Sequence, residues 1–186
     1  MTIWYTSDHH WDHANIIKYS NRPFADLEEM NETMIARWNE VVKPEDHVWH
    51  LGDLTMHRKI HTIKHRILDR LHGHKRLIMG NHDLDTIKHY AEFFEKIKGS
   101  HVHDRILLTH IPVHPDSLGK FVANAHGHIH TRTYPKAIRH KVVNGAVDMD
   151  RPYDVPYINV CVEQTDYRPI SLDELLERVR KAKEDL

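Results

Sequence analysis

Apolar residues recur along this chain in two periods. Residues 26 to 42 set Leu27, Met30, Met34, Ile35, Trp38 and Val41 at helical spacing. Asp26 with Glu29 reads as a capping box, and Pro44 lies just past the end. Residues 57 to 72 repeat the period with Ile60, Ile63, Ile67, Leu68 and Leu71 before Gly73, and residues 85 to 98 do so with Ile87, Ala91, Phe94 and Ile97. A last helix is expected from Ser171, boxed by Glu174 and burying Leu172, Leu175, Leu176 and Val179. Strand-like apolar runs occupy residues 2–6, 47–51, 75–79, 105–109, 121–125 and 157–162. Helix–strand alternation in the first half predicts mostly parallel strands. The succession of short strands after residue 100 predicts a second, more mixed sheet. Periodicity alone yields an α/β protein.

Five of the strand-like runs end in residues that ligate metals. The motifs are Asp8-x-His10, Gly52-Asp53, Gly80-Asn81-His82-Asp83, His110 and Gly127-His128-Ile129-His130. In open α/β sheets, ligands bind beyond the carboxyl ends of the strands, so these motifs are expected to converge. In an extended loop residues i and i+2 point to one side, which lets Asp8 and His10 share an ion, with His128 and His130 spaced alike and Ile129 facing away. A structural zinc site closes with four ligands, usually rich in cysteine. Here two carboxylates, one amide and four imidazoles offer nitrogen and oxygen donors without a thiolate. One bridging carboxylate would give each of two ions four protein ligands. Such pairs of ions, roughly 3.5–4 Å apart, clamp the oxygens of an in-line displacement at phosphorus.

In kind and order these motifs resemble those of the calcineurin-like metallophosphoesterase superfamily. A narrower resemblance runs from Met1 to about Leu175. It is carried by Asn15-Ile16-Ile17-Lys18-Tyr19, Asn21-Arg22-Pro23-Phe24, Trp38-Asn39, His50-Leu51-Gly52-Asp53, Asn159-Val160-Cys161-Val162 and the Pro169 to Glu174 stretch. These look like the small stand-alone phosphoesterases of bacteria and phages. Trp11-Asp12 departs from the Phe-Gly usual there. The resemblance implies a four-layer α/β sandwich, two mostly mixed sheets flanked by helices, in one domain over residues 1–186. It implies that Asp53 bridges two metals, that Asp8, His10 and His130 complete one site, and that Asn81, His110 and His128 complete the other. His82 faces the substrate, as a charge stabiliser or proton donor to the leaving group. Asp83 is expected to cap the following helix or orient His82. Arg22, Asn15 and His13 are candidate substrate contacts, Arg22 through a bidentate grip on phosphate.

The implied activity is di-metal phosphoester hydrolysis, by in-line attack of a hydroxide held between the ions. Manganese is the expected ion; iron, zinc, nickel or cobalt suit the same donors. Over these residues no capping domain is expected, unlike those that select DNA ends in the family's repair nucleases. Met56 stands where the protein phosphatases carry an aspartate, three residues past the bridging one. Both features favour a phosphodiesterase acting on small substrates such as 2′,3′-cyclic nucleotides. The alternative is a phosphomonoesterase of nucleotides or small metabolites. A non-catalytic scaffold would be marked by lost ligands, and none is lost.

Composition narrows the setting. A formal net charge of −1 without a basic block argues against a broad grip on nucleic-acid polymers. No apolar run approaches the roughly 20 residues that span a bilayer, and with Asp8 and His10 so near the start no leader is expected. The single Cys161 suits a reducing, cytoplasmic compartment and is expected to be a buried, inert thiol in a strand. Of 20 histidines most must lie outside the chemistry. His57, His61 and His65 read as a solvated helix face without carboxylate partners, and His101 and His103 as surface strand. No Gly-x-Ser-x-Gly, Walker loop or dinucleotide fingerprint is present. The sequence leaves the oligomeric state open.

Overall fold

A computed structural model describes residues 1–132, 140–143, 146–152 and 155–184. Its first sheet is laid down by the alternating first half of the chain. Strands β1 (Ile3–Thr6), β2 (His47–His50), β3 (His74–Ile78) and β4 (Lys96–Lys98) run parallel, and the late β11 (Ile170–Ser171) joins antiparallel beside β1. The second sheet holds β5 (Ser100–His103), β6 (Ile106–Thr109), β7 (Ala123–His126) and β10 (Tyr157–Asn159) in the order β10-β7-β6-β5, with only the β5–β6 pair antiparallel. A separate two-stranded ribbon pairs β8 (His140–Val143) with β9 (Ala146–Pro152). These are the two mixed sheets with flanking helices expected of the fold.

Burial explains the layering. Tyr5, Trp49, Leu51 and Ile78 of the first sheet meet Ile106, Leu108, Ala123 and Ala125 of the second in one apolar cluster. Helix α4 (Leu172–Glu184) adds Leu175 and Val179 to it, while Leu176 stays exposed. Ser171 Oγ accepts the Glu174 N–H at 3.1 Å, the cap read from sequence. The other face of the first sheet is covered by α2 (Leu27–Val41) through Met30, Met34, Ile35 and Trp38. Asp26 caps α2 by accepting the Glu29 N–H at 2.9 Å. Helix α1 (Asn15–Tyr19), one short turn after the first motif, has no signal in the hydrophobic period.

Two expected helices are corrected. Residues 57 to 72 form only the 3₁₀ turns Ile60–Ile63 and Leu68–Arg70. The apolar face is right, since Ile60, Ile63, Ile67, Leu68 and Leu71 are all buried. The backbone bonds do not form a continuous α-helical ladder: Lys64 N–H reaches three residues back to His61, Ile67 four back to Ile63 and Asp69 five back to Lys64. Branched Ile60, Thr62, Ile63 and Ile67 weaken helix propensity, so burial fixes the segment without regular bonding. Residues 85 to 98 give a single turn, α3 (Ile87–Tyr90), with Ile87 exposed. Glu95 N–H then bonds the Lys75 carbonyl and the chain pairs with β3 as β4, because ladder bonds to an open sheet edge outweigh a weak local helical period.

Candidate active site

The five motifs lie in loops at the carboxyl ends of β1, β2, β3, β6 and β7. Their backbone is not the extended one expected from i, i+2 spacing. Asp8, His10, Asp53, His128 and His130 have φ of 59°, 50°, 55°, 72° and 51°, all left-handed. Such conformations are strained for residues with a Cβ, and they persist where surrounding bonds over-determine them. Here Asp8 N–H bonds the Gly52 carbonyl, His10 N–H the Asp53 carbonyl and Gly127 N–H the His110 carbonyl, at 3.0, 3.2 and 2.8 Å. Gly52 has φ +96°, and a Cβ there would sit 2.6 Å from Gly80 N and 2.7 Å from His110 Nδ1. At Gly127 a Cβ would collide with Ser7 and the Asp8 carboxylate. Asp83 neither caps a helix nor orients His82. Its carboxylate accepts the N–H groups of Asp53, Leu54 and Gly80 at 3.0, 2.9 and 2.8 Å, stapling the loop after β2 to the loop after β3.

These loops bring all seven candidate ligands together. Asp8, His10 and His130 converge on one point, and Asp53, His110 and His128 on another. Asp53 Oδ2 lies 3.6 Å from His10 Nε2 and 3.4 Å from His110 Nε2, so a single carboxylate oxygen faces both groups. Asn81 Oδ1 lies 2.9 Å from His110 Nε2. His110 Nδ1–H donates to the Leu51 carbonyl at 2.8 Å, which aims Nε2 at the Asp53 carboxylate and the Asn81 amide oxygen, where an ion would take the place of its proton. Asp8 Oδ1 and both nitrogens of His10 are buried without a hydrogen-bond partner. Orphaned acceptors of this chemistry are satisfied by divalent ions, so the residues fit two metals.

Charge is arranged around these atoms by the protein itself. Burial disfavours an ionised Asp53, yet the hydrogen bond and charge of His110 prevail and hold it down to about 2. Burial likewise opposes a charged His110, but Asp53 and Asp8 push it up to about 9. Burial pulls His10 down to about 3, an imidazole with a free lone pair. Behind His130 stands Glu163, whose Oε1 accepts from Nδ1 at 2.9 Å. Glu163 is held at about 2, against its burial, by His130 and Arg22. A carboxylate on the far nitrogen fixes the tautomer and ring of a ligating histidine.

Comparison with known proteins settles the family. The profile of the calcineurin-like phosphoesterases matches residues 1–185. The chain belongs to the calcineurin-like phosphoesterase family. It is 35% identical, over 97% of its length and 93% of the relative's, to an uncharacterized protein of Methanocaldococcus jannaschii. It is 41% identical over 83 residues to the gene 66 protein of Mycobacterium phage L5, covering 43% of this chain and 39% of that one. The crystal structure of a protein of unknown function from Aquifex aeolicus superposes with a TM-score of 0.66 at 30% identity, covering 95% and 98% of the two chains. The family implies metal-dependent phosphoester hydrolysis.

Beside His10 and His130 of this calcineurin-like phosphoesterase opens a cleft of about 560 Å³, lined also by His13, Tyr19, Met56, His82 and Arg132, while Asn81 and His110 line a second cleft of about 470 Å³. His82 faces this space, its ring 5.6 Å from that of His10, and its N–H donates to Asp53 Oδ1 at 2.9 Å. His13 lines the cleft; Asn15 is exposed at the start of α1 and is absent from the lining. Ile129 lines the cleft too, where it was expected to face away. Arg22 is corrected outright. Its side chain is fully buried and bonds the Asp8 and His9 carbonyls, each at 2.7 Å, and Glu163 at 2.8 Å. It positions the first motif and cannot reach a substrate.

Glu163 and Arg132 were missed in the sequence. Glu163 carried the same signal as the ligands, a carboxylate directly after a strand-like run. Arg132 carried none. Cys161 is buried as expected, but it lies past β10 in an isolated bridge to Ser7, and its thiol donates to Asp8 Oδ2 at 3.3 Å. Burial, then the charges of Asp8 and Glu163, push that thiol well above its ordinary range. The Trp11-Asp12 departure also has a reading. Asp12 takes φ 64°, a conformation that favours the usual glycine, and bonds His57 at 3.0 Å and Arg66 at 3.1 Å. The three periodic histidines are partnered after all: His57 with Asp12, His61 with Glu92 and His65 with Asp69. His101 stacks on Trp49, and His103 bonds the Tyr5 hydroxyl.

Proposed function

We propose that this phosphoesterase is a phosphodiesterase of small substrates, 2′,3′-cyclic nucleotides foremost, working with two divalent ions, preferably manganese. The observation that carries the reading is Asp53 Oδ2, set between His10 Nε2 and His110 Nε2 at 3.6 and 3.4 Å. Asp8, His10, Asp53 and His130 would hold one ion, and Asp53, Asn81, His110 and His128 the other. Ions bound there supply Lewis-acid stabilisation of phosphoryl oxygens and activate water near neutral pH. Mixed carboxylate, amide and imidazole donors suit manganese.

The protein's own groups perform the rest. His82 stands in the cleft, placed to stabilise charge or deliver a proton to the departing oxygen. Glu163 and Arg22 hold the His130 ring and the Asp8 loop still. For substrate class, Arg132 is the one guanidinium lining the cleft among the described residues, and Met56 occupies the wall where the protein phosphatases carry an aspartate. One fixed cation matches a diester's single charge better than a monoester's two. A cleft of about 560 Å³ accommodates a nucleotide. No helix among the described residues is long and apolar enough to cross a membrane, and the lone buried thiol supports a cytoplasmic setting.

Steady-state kinetics with manganese test the reading. Bis-p-nitrophenyl phosphate and 2′,3′-cyclic nucleotides are expected to show higher kcat/KM than p-nitrophenyl phosphate or a phosphoserine peptide. A clear preference for the monoester would transfer the assignment to a nucleotide phosphatase.

A further inference from the structure

Outside the cleft, the two segments that fail to become helices are joined by a second group of metal-type side chains. His61 belongs to the Ile60–Ile63 turn, Asp85 precedes α3, His89 lies within it and Glu92 follows it. Ligand atoms of His61, Asp85 and His89 all lie within 4.8 Å of one another. The two imidazole rings meet edge to face with centroids 5.0 Å apart. His89 Nδ1 is 2.7 Å from Asp85 Oδ1, and His61 Nε2 is 2.9 Å from Glu92 Oε2.

Asp85 is built in rather than draped on the surface. Its side chain is only 6% exposed, and it accepts the N–H groups of Ile60 and Thr86 at 2.9 and 2.7 Å. Desolvation opposes its ionisation, but the His89 and backbone hydrogen bonds outweigh it and keep it a carboxylate. A single divalent ion can take one nitrogen from each imidazole and one oxygen from Asp85. Two nitrogens and a carboxylate oxygen make the donor set of zinc, and disfavour magnesium or calcium.

We propose that His61, Asp85 and His89 form a third divalent-cation site of zinc type, separate from the active centre, with water completing the coordination. An ion there ties the Ile60–Ile63 turn to α3, joining two segments that lack a continuous helix.

Zinc stoichiometry by native mass spectrometry, after dialysis against micromolar zinc, tests this site apart from the catalytic one. Unmodified protein should carry three ions, His61→Ala/His89→Ala two, and Asp53→Asn one. Adding His61→Ala/His89→Ala to Asp53→Asn should leave none. Equal zinc content in unmodified protein and the His61→Ala/His89→Ala variant would overturn the site. Failure of Asp53→Asn to release any ion would count against the bridging assignment alone. Hydrogen exchange on Asp53→Asn gives an independent readout: zinc should slow exchange over residues 60–71, and His89→Gln should abolish that slowing. Unchanged exchange on adding zinc would refute the tie.

Discussion

The two halves of the catalytic cluster are built differently. In the Asp8 half, Asp8 and His10 are 0% and 3% exposed, and Asp8 Oδ2 accepts from Ser7, the His128 N–H and the Cys161 thiol. His130 is backed by Glu163, which is in turn paired with buried Arg22. In the Asn81 half the amide is exposed, His128 is half-buried, and His110 Nδ1 is backed by the neutral Leu51 carbonyl where His130 Nδ1 has a carboxylate. The first half holds two carboxylates, counting Asp53; the second holds that shared carboxylate and a neutral amide. Unit charges about 4 Å apart attract by roughly 4 kcal/mol at an effective dielectric near 20. A second carboxylate outweighs an amide dipole, so the Asp8 half is expected to bind its ion the more tightly. On the proposed assignment, one shared residue, Asp53, would couple two positions whose supports are separate.

The largest break in that comparison comes from the shared residue. Asp53→Asn should lose both ions together, and with several kcal/mol of transition-state stabilisation gone, turnover should fall on the order of 10³-fold or more. Elemental analysis of the purified variant checks it; one ion lost with the other position full would show that the halves are not bridged. Next in size is His82, which belongs to neither half. His82→Ala should retain both ions yet lose on the order of 10²–10⁴ in kcat. Measured across leaving groups, the loss should shrink for acidic ones such as p-nitrophenolate. A constant loss would leave His82 an electrostatic role only.

Much of this was legible in the sequence, for a physical reason. Metal-type residues directly after apolar runs mark strand ends, and parallel strands bring their ends together, so Asp8, His10, Asp53, Asn81, His110, His128 and His130 could be gathered without coordinates. How they are gathered was not legible. Left-handed φ at Asp8 or His130 depends on bonds to Gly52, Asp53 and other distant loops, which no local pattern records. Arg22 was misread for a related reason: an arginine near a phosphate site looks the same in sequence whether it points out or in, and only the Glu163 carboxylate 141 positions later decides. Period-finding located the buried faces of residues 57 to 72 correctly but not their backbone, since burial and hydrogen bonding are separate requirements.

The smallest expected effect is the most discriminating, because it moves one half alone. Glu163 Oε1 sits 2.9 Å from His130 Nδ1 and 2.8 Å from Arg22, with its side chain 2% exposed. Glu163→Gln keeps the shape and removes the charge. The His130 ring loses the carboxylate that raises its basicity, so metal affinity in the Asp8 half should weaken about 10–100-fold, the usual cost of losing such a partner. His110 depends on a backbone carbonyl that the substitution does not touch, so affinity in the Asn81 half should stay unchanged. Leaving Arg22 buried without its counter-charge should also lower thermal stability, as breaking a buried ion pair costs roughly 3–5 kcal/mol. A stepwise manganese titration separates the two effects: one of its two phases should shift and the other hold still. Glu163→Asp, which restores charge at shorter reach, should recover part of the shifted phase. Equal movement of both phases, with no recovery in Glu163→Asp, would mean that Glu163 acts through overall stability and that the halves are not independently supported.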